Sequence, residues 1–321
     1  YSFYGIDIND GYYNELIENR IESTVVGAYG IYFSGADDNR IHKNEISSQA
    51  IGIYYGTNST RNNITNNTLT SNNYGIYFWR SSYNLIQNNI FTSNNLENIY
   101  FDGSNCRFNN ITGNQITGGT YGIRFNQNNN DNNYITWNDI QNYNTYGIHL
   151  STSNNNTISH NSISNGIGLF SYGIHLSLCN DNELIKNTID TNNIGISIYQ
   201  SNSTDVIEND VSLNSDGGIY MNDNSNYNYL FNNSIYSNLH GIYMNLADNN
   251  TVEMNEIWSC DKGIYVENAD NNTFSHNSIK NCIAEGTRVE GSTLVILFNN
   301  SYGENDGNGI YIYTSTFSKV I

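Results

Sequence analysis

Apolar and polar positions alternate in short bursts along this chain. Ile31 and Phe33, Ile123 and Phe125, and Ile174 and Leu176 each sit two residues apart, the spacing that turns alternate side chains to one face of a strand. The bursts are brief and rich in isoleucine. Asn, Ser, Asp and Gly separate them, residues that favour turns because their side chains bond local backbone or tolerate left-handed dihedrals. No stretch carries a helical stripe. The pattern predicts an all-β chain of short strands.

The bursts recur with a period. A Gly-Ile pair returns every 22 to 26 residues, at Gly5, Gly30, Gly52, Gly75, Gly122, Gly147, Gly173, Gly195, Gly218, Gly241, Gly263 and Gly309. Asn98-Ile99 and Gly286-Thr287 fill the two gaps and bring the count to fourteen. A second signature keeps step with the first: an apolar residue, two variable ones, an asparagine, one variable, another apolar. It reads Leu16-x-x-Asn19-x-Ile21, Ile41-x-x-Asn44-x-Ile46, Ile64-x-x-Asn67-x-Leu69 and Leu85-x-x-Asn88-x-Ile90, and continues to Leu297 and Asn300 in thirteen copies. Self-similarity at such a period signals a solenoid or an array.

Each repeat reads as one coil of two or three short strands. Propeller blades need about 40 residues and antiparallel hairpins, and leucine-rich repeats need a helical half that is missing here. Parallel crossovers are right-handed in the large majority of sheets. The expected architecture is therefore a right-handed, single-stranded parallel β-helix of about fourteen coils, forming one domain over residues 1–321. The asparagine is expected at a coil corner, its amide bonding turn backbone and its stacked copies. Five positions before the motif stands a small residue, such as Gly11, Ala36, Ser59, Cys106 or Ser153. Arg80 and Asn130 break that column, and a local bend is expected at both.

These repeats, Asn-x-Ile-x-x-Asn-x-Ile followed by Gly-Ile-Tyr, resemble those of right-handed parallel β-helix proteins of the pectate-lyase-like superfamily, in particular the NosD-like, carbohydrate-binding and sugar-hydrolase type. The resemblance covers essentially residues 1 to 321. It implies a protein that cleaves, binds or displays polysaccharide, or one that serves in periplasmic copper delivery. The family's catalytic patterns are mostly absent: Asp37-Asp38 occurs without Gly-His-Gly or Arg-x-Lys, and a chain with no proline lacks the proline-containing arginine segment of pectate lyases. Sulfur ligands for copper are few, and Met221 and Met244 fall in an inward column.

Composition narrows the setting. The chain holds 64 asparagines and 27 tyrosines in 321 residues, with a net charge of −18 that reflects scarce lysine and arginine. Nucleic-acid backbone is thereby excluded as a partner. No apolar run is long enough for a membrane-spanning helix. The chain opens on Tyr1 without methionine or leader, and its ends, Tyr1–Ile8 and Gly309–Ile321, are strand-like and uncapped. A segment of a longer surface protein, or a subunit that self-associates or meets other surface proteins, is expected. Asn-x-Ser/Thr sequons at Asn58, Asn63, Asn66, Asn110, Asn155, Asn202, Asn232, Asn249, Asn271 and Asn299 are candidate glycosylation sites of a secreted or surface protein.

Three further features carry candidate chemistry. Cys260 and Cys282 each follow a motif asparagine by five residues, and the stacked positions they occupy lie within disulfide range. After each Gly-Ile pair comes an outward column, Tyr32, Tyr54, Tyr77, Tyr100, Tyr220, Tyr243 and Tyr265 among its members. It serves as a stabilising ladder, a polysaccharide-docking stripe or a self-association surface. A second column, Tyr4, Tyr29, Tyr74, Tyr121, Tyr146 and Tyr172, turns inward under strict alternation, or outward should the glycine bend the chain. Arg124, His149 and His175 interrupt the first column near Asp102 and Glu97, offering the cation and near-neutral base that lysis of an acidic polysaccharide needs. Two histidines are few for a metal site. No resident cofactor is implied; calcium remains open at Asn222–Ser225 and Glu304–Gly307, oxygen-rich turns without an ordered ligand spacing.

Overall fold

A computed structural model describes residues 3–23 and 27–321, so Tyr1 of the N-terminal end lies outside it. Among the described residues all regular structure is strand. The chain divides into two units, residues 1–163 and 164–321. Each winds through seven coils, fourteen in all, and each coil contributes one strand to each of three parallel sheets, A, B and C, the last coil lacking its sheet C strand. Sheet A strands run to six residues, as in Tyr74–Trp79; those of B and C hold three, as in Leu85–Gln87 and Ile90–Thr92, except the last of sheet B, Lys319–Val320, with two.

Equivalent residues stack in register. Ile31 pairs with Ile53, Ile53 with Ile76 and Ile76 with Ile99 in sheet A of the first unit; Ile196, Ile219, Ile242 and Ile264 do so in the second. All of these side chains are fully buried. Inside the first unit Phe33, Tyr55, Phe78, Phe101 and Phe125 form a continuous ring stack with centroids 4.3 to 4.9 Å apart.

Corners are single residues in the left-handed region, mostly not glycine: Lys43 (φ 55°), Asn66 (56°), Asn88 (54°) and His160 (56°) stand at one such corner. A buried asparagine follows the corner and bonds along the stack. Asn67 donates its backbone N–H and its Nδ2 to Asn89 Oδ1, and Asn89 treats Asn114 likewise. The same Nδ2 groups reach back to the carbonyls of Ile41 and Ile64 on the preceding coil. Corner amides that a tight turn strips of partners are thus satisfied without water.

The coil four motif shifts by one residue from its sequence reading. Ile86 pairs with Ile64 and Asn89 is the ladder residue, while Asn88 is the exposed corner. The Arg80 exception disappears with the shift, because Ser81 is the buried small residue there. Asn130 is a true exception, and the chain turns just before it, with Gln127 (φ 84°) and Asn129 (φ 62°) in positive-φ conformations. The Asn130 Nδ2 bonds the carbonyls of Asn126 and Gln127, and its Oδ1 accepts from Cys106 N–H at 2.8 Å. A second ladder, Asn39, Asn62, Asn84, Asn109 and Asn133, runs along another corner with the same bonds.

Candidate functional site

The outer face of sheet A gathers the aromatic and ionisable side chains. In Tyr29–Ser34 the order is half-buried Tyr29, buried Gly30 and Ile31, half-buried Tyr32, buried Phe33. Two buried residues in succession break the alternation, so both tyrosine columns face outward. Glycine is required by close approach: a Cβ on Gly30 would lie 2.5 Å from the carbonyl oxygen of Gly52, and one on Gly122 equally near that of Gly147.

The tyrosines pack on one another. Tyr32 stacks on Tyr54 at 5.0 Å, Tyr54 on Tyr77 at 5.3 Å, and Tyr77 meets Tyr100 edge-on at 5.0 Å. In the second unit Tyr220, Tyr243 and Tyr265 repeat the arrangement at 5.0 and 5.2 Å. Neighbouring rings therefore cover one another in part, stacked at Tyr32–Tyr54 and tilted or edge-on elsewhere. Several hydroxyls donate to a carboxylate one coil on: Tyr77 to Asp102 at 2.7 Å, Tyr243 to Glu267 at 2.7 Å, Tyr265 to Glu290 at 3.3 Å. Burial pushes Tyr54 and Tyr100 up to about 12. Tyr77 and Tyr243 are raised further by burial and then by their carboxylate partners.

Within the first unit Arg124 and Asp102 turn to different partners. Arg124 and His149 are register neighbours. The guanidinium, however, donates to Glu97 at 2.8 Å and lies 4.4 Å over Tyr121 and 5.4 Å over Tyr100. Glu97, whose side chain is only 7% exposed, is held above the usual carboxylate range by burial, an effect Arg124 opposes. Asp102 faces elsewhere, accepting from Tyr77 and from Gly103 N–H. His149 stacks on Tyr146 at 4.7 Å. His175 belongs to the second unit, where burial pushes it down to about 4 and it packs beside Tyr172.

A second grouping escaped the sequence reading. The Tyr220 hydroxyl donates to Asp216 Oδ1 at 2.9 Å and lies 3.2 Å from His240 Nδ1. Gly217 makes this possible, because a Cβ there would run into the Tyr220 ring. The only signal was a glycine in a column where other coils carry side chains such as Tyr172, Ile194, His240 and Lys262. In the same unit Arg288 bridges Glu290 at 2.8 Å and lies between Tyr265 and Tyr311.

The remaining candidates are placed as follows. Cys260 and Cys282 are buried free thiols, not the expected disulfide. Each sulfur lies near the carbonyl two residues earlier, on Trp258 and Lys280. Burial pushes them up to about 12 and about 11. Asn202 and Asn249 are partly exposed and the other eight sequon asparagines are exposed, in contrast to the buried ladder asparagines. In the Asn222–Ser225 turn Ser225 Oγ donates to the carbonyl of Asn222 and to that of Ile198 on the preceding coil. Among the described residues no group of three or more His, Cys, Asp or Glu is placed to hold a metal ion.

Fold and site together define a right-handed parallel β-helix repeat protein. The chain belongs to the NosD family, whose model, described as periplasmic copper-binding protein (NosD), matches residues 29–171 and 103–240. A model of the right handed beta helix region matches residues 173–321. Among solved structures, the A-module of the Azotobacter vinelandii mannuronan C-5 epimerase AlgE4 is similar at TM-score 0.65 and 13% identity, over 96% of this chain and 91% of that one. A variant of the periplasmic alginate epimerase AlgG gives 0.59 and 14%, over 92% and 80%. The Dettilon tailspike protein gives 0.55 and 16%, over 84% and 62%. At such identities the likeness is one of fold alone. No curated protein matches.

Proposed function

We propose that this chain is a non-catalytic β-solenoid of the periplasm or cell surface that holds an extended polysaccharide against its tyrosine face. The observation that carries this reading is the repetition of sheet A: in each unit, tyrosine rings and hydroxyls recur over successive coils at about 4.8 Å. A regular polymer is the partner whose successive units meet the same groups. The periplasmic name of the family model and the alginate epimerases and tailspike among similar folds support a carbohydrate setting. The accessible sequons fit a glycosylated surface protein.

Turnover is disfavoured by the same geometry. Arg124 is engaged with Glu97, and burial holds the half-buried His175 down to about 4, which leaves it a weak base towards a bound chain near neutral pH. A lyase or hydrolase of acidic polysaccharide would have to work from the Arg124–His149 neighbourhood. Copper does not fit the residues present: Met221 stacks on Met244 inside the coil, both fully buried, and the four thiols are buried too.

Retention on immobilised polysaccharides tests the reading. Tyr54→Ala with Tyr77→Ala is expected to lower retention, and unchanged retention would exclude the tyrosine face. Product release from acidic polysaccharide that disappears in His149→Ala would overturn the non-catalytic assignment. Light scattering separates polysaccharide capture from self-assembly into a filament, sheath or layer.

A further inference from the structure

We infer that the open face of Trp137, on the sheet B side of the first unit, is a separate binding site for a neutral sugar ring. It rests on no part of the tyrosine-face reading. Trp137 occupies the corner after the sheet B strand Tyr134–Thr136, in the left-handed region at φ 58°, and is 64% exposed. Other coils fill this corner with Lys43, Asn66, Asn88 or Lys186, so the fold does not call for an indole. A bulky aromatic there carries backbone strain of about 1 kcal/mol or more that the coil does not need.

One face of the indole is covered and the other is not. On the following coil His160 stacks against it, 4.3 Å away and 19° from parallel. On the preceding coil the equivalent residue is Gly113, whose N–H donates to Thr136 O beside Trp137. Gly113 has no side chain to lay over the ring. Its place is bordered by Asn88, whose Oδ1 would lie 2.5 Å from any Cβ built there. The second face of the indole is thus left exposed, with the Asn88 side-chain amide reaching over the glycine beside it.

The chemistry of the rim selects the occupant. The sheet B strands of these coils, Leu85–Gln87, Asn110–Thr112, Tyr134–Thr136 and Thr157–Ser159, carry no charged side chain. They offer amides and hydroxyls instead, the Thr136 and Thr112 hydroxyls already bonded at 3.0 Å. On the sheet C side the strand Asp139–Gln141 adds one carboxylate, Asp139, which accepts from Gln141 Nε2 at 2.7 Å. A rim of amides and hydroxyls with a single carboxylate, on a chain of net charge −18, disfavours an anion, and a flat ring face bordered by hydrogen-bonding groups matches a pyranose, which is apolar on its C–H faces and polar at its edge.

The chain has three tryptophans, so Trp79→Phe with Trp258→Phe leaves Trp137 as the sole reporter. This variant is titrated with oligosaccharides of glucose, mannose, galactose and xylose. A saturable change in emission with at least one is expected, persisting in Tyr77→Ala and weakened roughly tenfold or more by Gly113→Asn, which lays a side chain over the exposed indole face. Asparagine occupies this corner at Asn66 and Asn88, so Gly113→Asn is expected to fold. If it does not, Trp137→Lys is compared with the unmodified chain by calorimetry on the same oligosaccharide. Absence of any response to all four sugars, or undiminished binding in the Gly113→Asn or Trp137→Lys variant, overturns the assignment.

Discussion

Asn89 takes two hydrogen bonds from Asn67 with one oxygen: its Oδ1 accepts the Asn67 backbone N–H at 2.9 Å and the Asn67 Nδ2 at 3.0 Å. Its own Nδ2 then bonds Ile64 O and Asn114 Oδ1. Replacing Asn89 by alanine leaves buried donors and a carbonyl unmatched, and urea denaturation is expected to show a loss of about 1–3 kcal/mol. Asn89→Asp keeps the acceptor and loses the donor while burying a carboxylate, so its deficit should shrink in acid.

Tyr55 is the opposite case. Its hydroxyl is fully buried within the ring stack and has no hydrogen-bond partner among the described residues. Tyr55→Phe extends the phenylalanine stack of Phe33 and Phe78 and removes an unsatisfied group. The variant is expected to be more stable by about 1 kcal/mol in the same denaturation experiment.

Glycine at the start of sheet A strands is fixed by crowding. In Gly122→Ala the new methyl group would meet Gly147 O, and a cost of about 1–3 kcal/mol is expected. Gly303→Ala meets nothing closer than Lys280 Cβ at 3.9 Å and should be near neutral. Equal effects at both positions would refute the crowding account.

Arg124 and Glu97 make a pH-dependent pair. Burial raises the Glu97 pKa above its unfolded value, so the ionised form weighs against folding increasingly as pH climbs through the carboxylate range. Arg124 offsets that cost. Arg124→Met is expected to lose about 3 kcal/mol at neutral pH and markedly less near pH 4, where Glu97 carries a proton. Thermal melts across that range check the sign.

Alkaline pH tests the tyrosine face. Tyr54 and Tyr100 are pushed up to about 12 by burial. Because the unfolded chain ionises near the ordinary tyrosine value of about 10, the stability they contribute is complete below that pH and is lost as pH rises towards the folded value. Tyrosinate absorbance should lag behind that of the denatured chain, then jump as the fold opens.

Much of this was legible in the residues. The Gly-Ile period and the asparagine motif gave coil number, strand direction and the ladder, because side-chain identity at an in-register position has only one neighbour type to satisfy. Coil four misled because Leu85 and Asn88 mimic the motif one residue early; only burial separates Asn88, at the corner, from Asn89, in the ladder. The second ladder was within reach, since Asn39, Asn62, Asn84, Asn109 and Asn133 each precede a ladder residue by five. The candidate site was less legible. Column position placed Arg124 near Glu97, but whether a guanidinium serves a ligand or a neighbouring carboxylate depends on rotamers that spacing does not encode.

Within each unit a coil bonds to the coil before it and the coil after it, through the same corner amides every time. Removing or duplicating one full turn therefore leaves every surviving contact with an equivalent partner. Such a molecule can change length by slippage of its own gene, in steps of one turn, without having to redesign its interior.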